Sequence, residues 1–121
     1  MSLNDITIII VSYKSTKKVK KCIDSIAGKS KIIVIENSND FSHKENIEKE
    51  YSNVECIIAN DNLGYGKANN LGLKQVRTKY ALILNPDTRI ESDTLEKFLE
   101  AANKMKKIEY PKPDGKLTFD K

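Results

Sequence analysis

The sequence has a single histidine, two cysteines and no apolar run long enough to cross a bilayer, and each shortage removes a class of function. His43 sits in a polar stretch and reads as a surface residue. Without a second histidine or a nucleophile elbow, a hydrolase triad has no support. Cys22 and Cys56 each lie inside an apolar run, with no Cys-x-x-Cys spacing and no histidine cluster nearby. A zinc site and a disulfide framework are both disfavoured, and a reducing cytosol fits best. The longest apolar run, Ile6 to Val11, is far too short for a membrane span, and the N-terminus lacks the regions of a signal peptide. A cytoplasmic location is expected, the inner face of a membrane included. A G-x-x-x-x-G-K-[ST] phosphate loop is also missing. The best approach to a dinucleotide fingerprint, Gly64-Tyr65-Gly66, has Asn69 where its third glycine belongs and follows the third strand instead of the first.

What is present suits one soluble domain: 121 residues, 39% hydrophobic and 31% charged. The net charge of +4 comes from lysines scattered among acids, which describes a solvated surface better than a nucleic-acid footprint. The lysines from Lys14 to Lys21 fall between apolar positions at helical spacing, as on an exposed helix face.

Along the chain, apolar runs alternate with helical patterns. Ile6 to Tyr13 is continuous and β-branched, the mark of a strand covered on both faces. Ser15 or Thr16 can cap a helix carrying Val19, Cys22, Ile23, Ile26 and Ala27, with Gly28 as a left-handed stop. Lys31 to Glu36 gives a second strand, Glu45 to Tyr51 a weak helix, and Val54 to Ala59 a third strand. A glycine-containing loop then leads into a helix burying Ala68, Leu71 and Val76, before a fourth strand at Tyr80 to Leu84. Asp93 and Glu96 resemble a capping box for a last helix with Leu95, Phe98, Leu99 and Ala102 on one side. This alternation predicts an α/β fold, a mainly parallel sheet between helix layers, over residues 1–109. Residues 110–121 read as a turn or linker with a short apolar stretch, Leu117 to Phe119, that has no evident partner.

Ligands of open α/β sheets bind beyond the carboxyl ends of the strands. There the sequence places Ser12 and Tyr13, then Glu36, Asn37, Ser38 and Asp40, then Asn60 to Gly66, and finally Asn85 and Asp87. In A-L-I-L-N-P-D-T, a buried strand runs into a proline that ends the ladder and leaves Asp87 at the strand's end. Taken alone, Asn85 to Thr88 is an ordinary β-turn. Four such coincidences along one edge favour a site.

The ordered segments I-I-I-V-S-Y-K, I-V-I-E-N-S-N-D, N-L-G-Y-G-K-A-N-N-L-G and L-I-L-N-P-D-T resemble the family 2 glycosyltransferases of GT-A fold, particularly their rhamnosyltransferase-like branch. The resemblance covers about the first hundred residues. It implies a sheet ordered 3-2-1-4 and a nucleotide-diphosphate sugar as donor. By that likeness Val11 and Tyr13 border the base and ribose, and Glu36, with Ser38 beside it, stands where the family has a nucleotide-contacting aspartate. Lys67 and Asn70 then close the donor pocket. Asn85 replaces the first acid of the family's D-x-D motif and would touch the ribose or a metal-bound water, and Asp87 is the metal ligand, for Mg2+ or Mn2+. The chemistry agrees, because adjacent phosphate charges must be neutralised before the sugar leaves. Plainer accounts stand beside these: Tyr13 as a strand-end core cover, Lys67 as a solvated cation, Gly72 as a close-packing residue.

A UDP- or dTDP-linked donor is expected, a dTDP-deoxyhexose among the candidates, with a glycan or lipid-linked acceptor in polysaccharide biosynthesis. Inverting transfer needs a base, and none is identified: Glu96 and Glu100 read as the exposed face of the last helix. The sequence is therefore expected to be a donor-binding portion, completed by further chain, a second copy or a partner. A non-catalytic sugar-nucleotide-binding module and a nucleotidyltransferase are the alternatives, which fold alone does not separate.

Overall fold

β-Branched residues fill the middle of the molecule. Strands β1 (Ile6–Ser12), β2 (Lys31–Glu36), β3 (Val54–Ile58) and β4 (Tyr80–Leu84) form one parallel sheet in the order β3-β2-β1-β4. The computed structural model describes residues 3–26, 30–91, 93–104, 109–111 and 117–119. Every residue of the central strand β1 is buried, as in a strand covered from both sides.

Parallel neighbours need crossovers, and helices α1 (Thr16–Ser25), α2 (Phe41–Glu50) and α3 (Tyr65–Leu73) supply them, with α4 (Thr94–Lys104) after β4. Alternation along each strand divides the core in two. Ile8, Ile10, Ile32, Val34 and Cys56 pack with Val19 and Cys22 of α1, Ile47 of α2 and Leu95 and Leu99 of α4. On the opposite face Val11, Ile33 and Ile35 pack with Ala68 of α3. There α3 lies close to the sheet, because Gly72 presents no side chain to Ile9 and Ile35; a Cβ on it would stand 2.9 Å from Ile9 Cγ2.

Helix ends differ in places from the expected ones. Asp40 starts α2 earlier than Glu45, since its carboxylate accepts from the Ser42 amide at 3.1 Å. Ser15 occupies the N-cap of α1 without a side-chain cap; its hydroxyl donates instead to the Tyr13 carbonyl at 2.8 Å. Helix α1 ends at Ser25, and Ala27 and Gly28 lie outside the described residues. Helix α3 stops at Leu73, leaving Val76 half-buried beyond it. Leu117–Phe119 does find a partner, pairing antiparallel with Glu109–Pro111 as strands β6 and β5.

Candidate functional site

Four strand ends and the start of α3 meet at the carboxyl edge of the sheet, and β2, lying between β1 and β3, braces the loops of both neighbours. Successive residues at its end point to opposite faces, so each reaches a different loop. Glu36 faces the α1/α2 side. Its Oε2 accepts from the Lys14 amide at 3.1 Å and from the Ser38 hydroxyl. Asn37 faces the α3 side, where its Oδ1 accepts from the Leu63 amide at 2.8 Å and its amide donates to Asn62 Oδ1 at 3.0 Å. The Ser38 carbonyl accepts from the Asn60 amide at 2.9 Å. Lys14, Asn60 and Gly64 all have positive φ, at 49°, 68° and 82°. For the first two this is a conformation that side chains disfavour, and the bonds from β2 help hold it. The sequence places Asn37 at this edge but assigned it no role; an asparagine directly after a buried strand was the available signal.

Glu36 and Ser38, expected beside the nucleotide, are turned inward: the glutamate has no exposed surface and the serine 5%. The glutamate chain is long enough to reach back over the Lys14 amide. His43 is not a surface residue but is buried beside it, at 1% exposure. Its Nδ1 lies 2.6 Å from Thr16 Oγ1, and its Nε2 faces Glu36 Oε1 at 3.5 Å. A carboxylate can only accept, so the imidazole proton belongs on Nε2 and the Thr16 hydroxyl donates to Nδ1. Burial lowers the His43 pKa, opposed by the Glu36 and Asp40 carboxylates and assisted by Lys20.

A testable pH dependence follows. A histidine whose pKa is lower folded than unfolded takes up protons on unfolding, so its contribution is complete above about pH 6.5 and is lost as pH falls toward its folded value. Depressed carboxylates act in a lower window: Asp40, held down by the Ser42 hydroxyl, and Asp93, held down by Lys97, lose their contributions below about pH 4. The urea midpoint is expected to fall between pH 7 and 5, and His43→Gln to flatten that slope. An equal slope in the variant would contradict this assignment.

At the end of β4 the turn and the site coincide. Asn85 accepts the Thr88 amide on its carbonyl and the Asp87 amide on its side chain, both at 2.8 Å. The asparagine is thus engaged in turning the chain, and what the turn presents is the Asp87 carboxylate. Asp87 is exposed and pairs at 3.3 Å with Lys18 of α1, itself exposed. Because Ile10 pairs with Leu84, this turn emerges next to Val11 and Tyr13. Val11 is buried and Tyr13 is half-exposed, with the Lys14 ammonium 5.6 Å from its ring centre. Lys67 and Asn70 are exposed on α3. Their neighbour Asn69 is 6% exposed, and its Oδ1 has no hydrogen-bond partner. Among the described residues no three His, Cys, Asp or Glu side chains cluster as a metal site.

The family model for glycosyl transferase family 2 matches residues 7–117, the whole of this edge. The chain belongs to glycosyl transferase family 2. Among its relatives is a low-salt glycan biosynthesis hexosyltransferase of Haloferax volcanii, 28% identical over 79% of this chain and 32% of the relative. A teichoic acid poly(glycerol phosphate) polymerase of Staphylococcus epidermidis is 30% identical over 84% of this chain and 15% of the relative. The chain thus spans about a third or less of these family 2 proteins. Residues 1–349 of S. aureus TarS superpose with a TM-score of 0.71 at 20% identity, covering 82% of this chain and 32% of that one. The same protein in complex with UDP gives 0.67 at 18% identity, over 82% of this chain and 32% of that one. The shared fold is GT-A, with the strand order 3-2-1-4 that the resemblance implied.

Proposed function

We propose that this chain binds the nucleotide-diphosphate sugar donor of a family 2 glycosyltransferase at the carboxyl ends of β1 and β4. The observation that carries the reading is the Asn85–Thr88 turn, which holds the exposed Asp87 carboxylate at the strand edge beside Val11 and Tyr13. Asp87 would hold Mg2+ or Mn2+ there, with Asn85 fixing the turn. Such a cation, when bound, offsets the charge of the diphosphate leaving group. Tyr13 offers a flat apolar face to a base, while Lys67 and Asn70 approach from α3. The structural neighbour's complex with UDP supports a nucleoside-diphosphate sugar as donor. The rhamnosyltransferase-like segments favour a dTDP-linked deoxyhexose, transferred to a glycan or lipid-linked acceptor.

Calorimetric titration of UDP, dTDP and GDP, each with manganese and with EDTA, tests the reading. UDP or dTDP is expected to bind at least about tenfold more tightly with manganese. Binding that ignores the metal would remove the cation from the proposal, and binding of none of the three would remove the donor site. Release of pyrophosphate from a nucleoside triphosphate and a sugar phosphate would favour a nucleotidyltransferase instead.

A further inference from the structure

The Thr16–His43–Glu36 chain has no part in the donor contacts above, yet it lies directly beneath them. Glu36 Oε1 and His43 Nε2 are fully buried, face each other at 3.5 Å and have no hydrogen-bond partner. The other carboxylate oxygen holds the Lys14 amide, the first peptide after Tyr13, in a left-handed turn. Buried polar groups without partners are costly, so an arrangement that leaves two of them aimed at each other restricts the carboxylate to one orientation.

We propose that Glu36 is a positioning residue: anchored by His43 and Thr16, it clamps the Tyr13–Lys14 turn over the nucleotide pocket and acts on the nucleotide through that turn. The inference rests on reading the strand edge as a nucleotide site. A glutamate suits the role because its additional methylene spans from β2 to the Lys14 amide while still facing α2. An aspartate at the same backbone position would withdraw from both. The titratable groups around the pair come from α1, the loop before α2 and β3: Lys20, Asp40 at the N-cap of α2, and Cys56, whose thiol burial pushes up to about 12 and keeps neutral. Lys44 and Glu48 of α2 lie against Cys56, and the Lys14 ammonium is turned toward the Tyr13 ring.

The full chain carries a single histidine, so one imidazole resonance reports on the pair. Amide NMR and dTDP or UDP titration would be run on the wild type, Glu36→Asp, Glu36→Gln and His43→Gln, each first shown to keep the wild-type pattern of dispersed amide signals. Glu36→Asp is expected to lower the exchange protection of the Lys14 amide at least tenfold and to weaken nucleotide binding by a similar factor. Glu36→Gln, which keeps an oxygen within reach of Lys14, is expected to restore most of both. In the wild type, the Lys14 amide shift should follow the imidazole titration with the same midpoint, and in His43→Gln it should not move over that range. If Glu36→Asp binds nucleotide as tightly as the wild type, the carboxylate acts directly and the clamp is wrong. An unchanged Lys14 amide in Glu36→Asp likewise overturns it. Should the wild type bind neither nucleotide, the donor-site reading fails while the amide measurements still decide whether the clamp exists.

Discussion

Replacing Asp87 by alanine is expected to abolish the manganese-dependent gain in nucleotide affinity, a loss of at least about tenfold when measured with metal. Among the described residues no group of three or more His, Cys, Asp or Glu side chains offers an alternative metal site, so the proposal puts the cation on Asp87. The fold should hardly notice. Asp87 is exposed, its partner Lys18 is also exposed, and a surface pair of this kind contributes less than about 1 kcal/mol. The thermal midpoint should therefore stay within about 5 °C of the wild type. Lys18→Ala serves as the control, since it removes the competing ammonium and leaves the carboxylate free for the cation. Metal-dependent affinity that survives in Asp87→Ala would place the cation elsewhere.

The second large effect concerns stability. Gly72→Val is expected to cost about 3 kcal/mol, because the Cβ would lie 2.9 Å from Ile9 Cγ2 and 3.4 Å from Ile35 Cγ1 before either valine methyl is added. Ile9 is fully buried in the central strand, and its Cγ2 is a branch methyl with no room to rotate away. The few tenths of a kcal/mol by which valine exceeds glycine in helix propensity do not offset that contact. Thermal unfolding should drop by about 12 °C or more for a domain of this size. Because α3 carries Lys67 and Asn70, lifting it off the sheet should also weaken nucleotide binding. A variant as stable as the wild type would mean that α3 is free to shift outward.

The sequence made the sheet legible for a physical reason. Buried parallel strands must be continuous apolar runs, and β2 is found at the residues where the hydrophobic pattern puts it, as is β4, although that edge strand is only half-buried with Ile83 exposed. Helix ends were less legible, since they depend on single capping contacts: Asp40 took a start expected near Glu45, and Ser15 gave its hydroxyl to Tyr13. At the site, the turn at Asn85 and the exposed carboxylate of Asp87 could be anticipated from residue types alone. The inward rotation of Glu36 could not be, nor the burial of His43. Both follow from a contact between residues distant in sequence, where Thr16 and His43 close over the end of β2. Polar neighbours made His43 read as solvated, but Phe41 and Ser42 are the exposed members of that turn while His43 faces inward.

The bracing of two loops by adjacent residues of β2 sets different tolerances to change in length. The segments beyond the braces can gain or lose residues and still be tied at the same points. The strand itself has no such freedom: one inserted or deleted residue would exchange the directions of Glu36 and Asn37, sending the acid toward α3 and the amide toward the imidazole, so that both ties fail together.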